Sequence, residues 1–255
     1  MKTKVLLAKL SKRFPKRYAK ENHDFVGLMA GKLPEDVHKI LLCLDFDKLV
    51  YPTALKEKPD LILTHHPFIY GPKAKILKYD LLKRELFDNV EANGLCIYSM
   101  HTNFDTGNGG MNDALTEALG LKNVYAPEKD KMMRIGELEE EMKVDEFALY
   151  AKYKLNVTYS LLINKGNKMI KKVAIIGGGG SRSWGLAKEE GADIYISGDA
   201  PHYVRRDVVI NEYNYLDMPH EIEKIFMPTM KKLLLEMDDS LEIIIVDHEE
   251  LPKVI

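Results

Sequence analysis

Apolar positions in this chain come mostly in short unbroken runs, each separated from the next by a stretch with helical spacing or by glycine, proline and asparagine. "HKILLCLDF" (38–46), "PDLILT" (59–64) and "LCIYSM" (95–100) are too continuous for half-exposed strands, which would alternate, and read as strands buried on both faces. Between them, "KLVYPTALKEK" (48–58) and "DLLKRELFDNVEANG" (80–94) carry apolar residues at helical spacing, the second closed by Gly94. Strand, helix, strand in that order predicts parallel βαβ units. The first 20 residues are basic and amphipathic and predict a helix with a solvated charged face. "NDALTEALG" (112–120) predicts a helix with Asn112 or Asp113 as its cap.

The second half repeats the theme. "RIGELEEEMKVDEFALYAKYKLNV" (134–157) reads as mostly helical, with a solvated acidic run. "VTYSLLIN" (157–164), "KKVAIIGGGG" (171–180) and "ADIYISGDAPHY" (192–203) read as strands, with "SWGLAKEEG" (183–191) a helix between the last two. Residues 208–237 run from a strand into a long helix, and "LEIIIVDHEE" (241–250) is a last strand. "ALKEKPDLILT" (54–64) aligns without gaps to "AKEEGADIYIS" (187–197), with Ala, Glu and Asp in common, which sets His65 and His66 opposite Gly198 and Asp199. The fold class predicted is α/β, with two related α/β halves in one protomer. The charged, proline-containing segment 122–132 divides 1–126 from 127–255.

Composition narrows the function classes. At 45% hydrophobic and 30% charged residues, this is an ordinary globular balance, and a net charge of −2 gives nucleic acid or an anionic membrane no bulk attraction. The two cysteines, Cys43 and Cys96, lie inside apolar runs and suit a reducing compartment. No signal-peptide core and no membrane-length apolar run is present, so the expectation is a cytoplasmic protein.

Five of the eight histidines (His65, His66, His101, His202 and His220) follow apolar runs read as strands. Adjacent His65 and His66 can converge on one site only where the strand has ended and the backbone turns, and Pro67 favours such an ending. A buried imidazole needs partners for both ring nitrogens, so singly each histidine is more often a satisfied core residue than a ligand. Five at strand ends, with Asp105 four residues after His101 and Glu223 three after His220, are a metal-ligand set. The donors exceed what one tetrahedral ion takes, which argues for two divalent ions, Zn, Fe, Mn or Ni, sharing a carboxylate. "IIGGGGSRSW" (175–184) lacks the phosphate-loop lysine; it reads first as a tight strand-to-helix turn that lets backbone pass close to the site, and second as a phosphate cradle.

"DLILTHHPFIY", "HTNFDTGNGGMND", "VAIIGGGGS", "DIYISGD" and "HEIEKIF", in that order and with "HDFVGLMAG" (23–31) before them, resemble the Nif-three-like family of toroidal hexamers with a dinuclear metal centre. Bacterial members are often labelled GTP cyclohydrolase I type 2 homologues. The resemblance covers nearly the whole chain and implies a homohexamer, a trimer of dimers, with metal sites opening on an internal cavity. It implies His65, His66, Asp105, His220 and Glu223 as ligands, Asp105 bridging, and His101 as a ligand or a residue lining the site. Lys224 stands where many members have a glutamate, so Glu223 is the C-terminal carboxylate chosen and Glu221 the alternative. Asp199 and His202 resemble a substrate-contacting segment. Longer members carry an inserted domain, for which 122–132 leaves no room. Two functions follow: a metal-dependent hydrolase of a nucleotide-like or phosphate-bearing small molecule, with His101 or His202 transferring protons, or a hexameric metal-binding scaffold without turnover.

Overall fold

A computed structural model describes all 255 residues, as two units. Eleven strands run along the chain: β1 (Gly27–Ala30), β2 (Lys39–Cys43), β3 (Leu61–Thr64), β4 (Ile97–Ser99), β5 (Lys122–Tyr125), β6 (Arg134–Lys143), β7 (Leu161–Ile163), β8 (Met169–Ile175), β9 (Ile194–Gly198), β10 (Asn214–Met218) and β11 (Glu242–Ile245). The fold is mixed α/β with two sheets. No helix is long and apolar enough to cross a membrane.

The first unit is Met1–Gly110 with Phe226–Glu249. Its sheet has the order β1-β4-β3-β2-β11; all neighbours are parallel except β1, which pairs antiparallel with β4 at the edge. β2 and β3 are buried along almost their whole length, as their unbroken apolar runs require. The opening segment forms two helices, Thr3–Arg13 and Lys16–Glu21, parted at Pro15, whose ring cannot continue the first helix. Leu6, Leu10 and Phe14 of this segment are fully buried, while its lysines stay in solvent.

The second unit is Met111–Ile225 with Glu250–Ile255. The division thus falls at 110/111, where 126/127 was expected, and the last helix and strand return to the first unit because β11 pairs in register with β2. The second sheet has the order β5-β6-β8-β9-β10-β7, with β8, β9 and β10 parallel. The acidic segment expected to be helical is strand β6 over Arg134–Lys143, and only Val144–Lys154 is helix. Pairing with β5 on one side and β8 on the other overrides the helix preference of its glutamates, and a register shift between Glu137 and Met142 takes up the exposed acidic stretch. Likewise Val208-Val209-Ile210 ends the helix His202–Ile210, and the strand there starts only at Asn214. Asn112 and Asp113 lie within the helix Met111–Ala118; they do not cap it.

The aligned segments 54–64 and 187–197 do the same work in their respective units. Each is the end of a helix followed by a central parallel strand, β3 or β9. In the first unit Asp60 Oδ2 accepts the backbone N–H groups of His38 and Lys39 at the start of β2 (2.8 and 2.9 Å). In the second, the aligned Asp193 Oδ2 accepts those of Lys171 and Lys172 in β8 (2.9 and 2.8 Å). One shared aspartate therefore sets strand register in both βαβ units.

Candidate metal centre

Every candidate ligand lies at or just beyond the carboxyl end of a parallel strand, where open α/β sheets place their sites. In the first unit β3 ends at Thr64, and the N–H groups of His65 and His66 both turn to the carbonyl of Leu44 (3.1 and 3.0 Å). That turn lets two adjacent imidazoles share one side, with ring centroids 5.1 Å apart. His101 follows β4 and joins them: the three histidines offer ligand atoms within 4.8 Å of one another. Asp105 sits one helical turn past His101, buried, with Oδ1 3.5 Å from His65 Nε2.

In the second unit His220 follows β10 and opens a short 3-10 helix, His220–Ile225. Three-residue spacing brings Glu223 Oε2 to 3.0 Å from His220 Nε2. Glu223 is buried and Glu221 is not, so of the two carboxylates left open by the sequence it is Glu223 that faces the histidine. Gly178, at φ +62°, passes so close that a Cβ there would overlap Glu223 Oε1. The glycine loop is therefore the tight turn of the first reading. Three of its backbone donors are taken: Gly177 N–H by Asn112 Oδ1 (2.8 Å), Gly180 N–H by the Gly178 carbonyl (2.9 Å) and Ser183 N–H by the Gly180 carbonyl (3.1 Å). His202 lies exposed at the start of its helix and makes none of the bonds that join Asp199, His220 and Glu223.

The second ring nitrogens carry the strongest chemical statement. His65 Nδ1–H donates to the Met100 carbonyl (3.0 Å), His66 Nδ1–H to Asp45 Oδ2 (2.6 Å), His101 Nδ1–H to Asp24 Oδ2 (2.8 Å) and His220 Nδ1–H to Asp199 Oδ2 (2.6 Å). A carbonyl or carboxylate oxygen can only accept, so in all four rings Nδ1 carries a proton and Nε2 is the nitrogen turned away from the anchor. Such backing by carboxylate or carbonyl orients a metal-binding imidazole and raises its basicity. In His220 that nitrogen lies 3.0 Å from the Glu223 carboxylate, and in His65 it lies 3.5 Å from that of Asp105. Two acceptors at such distances repel unless a cation or a proton lies between them. The donor set fits a divalent metal.

Burial would raise the carboxyl of Asp24, but hydrogen bonds from the His101 ring, Thr102 and the Phe25 N–H outweigh it and hold Asp24 below the usual carboxylate range. Asp45 behaves alike: burial raises it, and the hydrogen bond and charge of His66 bring it lower. Both stay ionised as imidazole anchors. Of these anchors, Asp24 and Asp45 escaped the sequence reading as part of the site. The one available signal was that Asp45 closes the apolar run 38–46, two residues past the end of β2.

The sequence profile described as Duf34/NIF3 (NGG1p interacting factor 3) matches residues 1–252. A Clostridium perfringens protein named GTP cyclohydrolase 1 type 2 homolog is 34% identical over 234 residues, 89% of each chain. A Lactococcus lactis protein of the same name is 29% identical over 249 residues, 95% of each. Among solved structures, a Bacillus cereus protein related to NIF3 shares the fold with a TM-score of 0.88 at 22% identity, covering 100% of this chain and 99% of that one.

Proposed function

The chain belongs to the Duf34/NIF3 family, and from that premise we propose that it is a dinuclear metal-dependent hydrolase of a nucleotide-like or phosphate-bearing small molecule. The ligands in this reading are His65, His66 and Asp105 of the first unit and His220 and Glu223 of the second. What carries it is the common state of the four imidazoles, each with Nδ1–H anchored and Nε2 offered as a donor. Bound divalent ions, Zn, Fe, Mn or Ni, would supply Lewis acidity and lower the pKa of water toward about 7.

The chain's own residues do the rest. Asp24 fixes His101 as the Nδ1–H tautomer, so His101 Nε2 is ready to accept a proton and, once protonated, to return it to a leaving group. His202, at the exposed start of its helix, is the second proton-transfer candidate of this reading. Asp105, Glu223 and His65 are themselves buried. A homohexamer, as a trimer of dimers, is the assembly this reading carries.

The test is elemental analysis of protein purified without added metal, beside a His65→Ala, His66→Ala double variant, followed by a turnover screen across nucleotides and phosphoesters. About two equivalents per chain, lost in the variant, with metal-dependent release of product, is the expected result. Failure to bind metal after reconstitution with Mn²⁺, Fe²⁺ or Zn²⁺ would remove the hydrolase reading.

A further inference from the structure

A cavity of about 400 Å³ opens in the first unit beside the histidine cluster, within the range of roughly 300–1,000 Å³ that small-molecule sites occupy. Its lining combines three ammonium groups, Lys16, Lys20 and Lys73, with an apolar wall that includes Phe25, Met29 and Ile69. None of the three lysines has a carboxylate partner; Lys16 and Lys73 lie instead over the rings of Tyr98 and Phe87, at 5.4 and 4.1 Å. The only carboxylate in the lining is Asp24, and it is already committed to His101 and Thr102. Uncompensated positive charge over an apolar wall selects an anion attached to a hydrophobic body.

The shape of that body follows from the aromatic groups. Phe25 is 37% exposed, a large cost in water for a residue with no covering segment. Its ring meets Tyr70 edge-on at 5.9 Å, and Tyr70 meets His101 edge-on at 6.4 Å. The aromatic line therefore leads from the cavity to the histidine cluster, and Asp24 belongs to both. We infer that this cavity is the substrate subsite of the metal centre, and that it takes a planar aromatic heterocycle bearing a phosphate, the ring against Phe25 and the phosphate among Lys16, Lys20 and Lys73. The inference rests on the catalytic reading above and adds to it where the phosphate goes: to these lysines, which line the same cavity as the apolar wall.

Equilibrium binding of guanosine 5′-monophosphate, guanosine and inorganic pyrophosphate to the full-length protein tests this, in metal-free and metal-loaded samples whose metal content is measured in parallel. The monophosphate is expected to bind at least about tenfold more tightly than either guanosine or pyrophosphate, because only it meets both lysines and the aromatic wall. A Lys20→Gln, Lys73→Gln variant, both positions being exposed, should lose about tenfold or more for the monophosphate and little for guanosine, with metal content unchanged. Phe25→Leu should weaken the monophosphate and guanosine together. Equal monophosphate affinity in wild type and the lysine variant overturns the inference. So does pyrophosphate binding as tightly as the monophosphate, which would make the cavity an anion site only, and so does a lack of monophosphate binding in both samples. Because metal content is read separately, metal loss with nucleotide binding intact sinks the metal centre alone, and the reverse result sinks the subsite alone.

Discussion

Replacing Gly178 by alanine puts a methyl group where the Glu223 carboxylate already is, and three glycines in one segment allow its effect to be dissected. Gly191 has φ +77° with nothing within 4 Å of an added Cβ, so Gly191→Ala reports backbone strain alone, about 1 kcal/mol. Gly185 lies inside the helix Trp184–Glu189, also with nothing within 4 Å, so Gly185→Ala should stabilise by about 0.5–1 kcal/mol through lost backbone freedom in the unfolded chain. Gly178→Ala carries the strain of φ +62° and in addition must displace Glu223, which is 3% exposed and has no solvent to swing into. Disturbing that buried, polar contact adds about 1–3 kcal/mol, for a total of about 2–4 kcal/mol. The Gly178 carbonyl also accepts from the Gly198 and Gly180 N–H groups (2.7 and 2.9 Å), so the loop cannot simply retreat.

Urea denaturation of the three metal-free variants reads the first set of numbers, and competitive chelator titration reads the second. Only Gly178→Ala should weaken metal binding, by about 10–100-fold, since it alone moves Glu223 away from His220 Nε2. A Gly178→Ala protein as stable as Gly191→Ala, with metal affinity equal to wild type, would refute the close approach and with it the placing of Glu223 in the centre.

Asp45→Asn removes the charge behind His66 Nδ1–H and should cost about 10–100-fold in metal affinity by the same titration; an unchanged affinity takes Asp45 out of the site. Alkaline pH should destabilise the fold: burial pushes the Cys96 thiol from 9.0 up to about 11 and, with nearby carboxylates, raises the Tyr213 and Tyr215 hydroxyls. The unfolded chain then ionises first, so stability is full below about 9 and falls as pH rises toward 11, and a urea midpoint flat across that window contradicts the burial. Leu10→Ala should cost about 2–5 kcal/mol because Leu10 is fully buried, whereas Lys12→Ala, two residues on, should stay within about 0.5 kcal/mol; equal effects would mean the first helix is not packed as described.

Local chemistry was enough to place several of these features. Leu61-Ile62-Leu63 is apolar without a break, Pro67 cannot continue a ladder, and so the His65–His66 pair had to sit at a strand end, as it does. The ungapped match of 54–64 to 187–197, with its shared aspartate, foretold two like βαβ units, because the same carboxylate at the same place in each helix-strand segment bonds two backbone N–H groups of the preceding strand. Other features depended on contacts far apart in the chain. The acidic segment 134–143 is a strand only because β5 and β8 flank it, and helix preference counts for little against two ladders. Choosing Glu223 over Glu221 needed the 3-10 geometry after β10, since both lie within reach of His220 in sequence. Asp24 holds His101 across 77 residues, and Asp199 holds His220 across 21. Residue type and spacing decide which groups can bind a metal; which nitrogen each histidine offers is set by its partner on the far side of the ring, and only the folded chain supplies that partner.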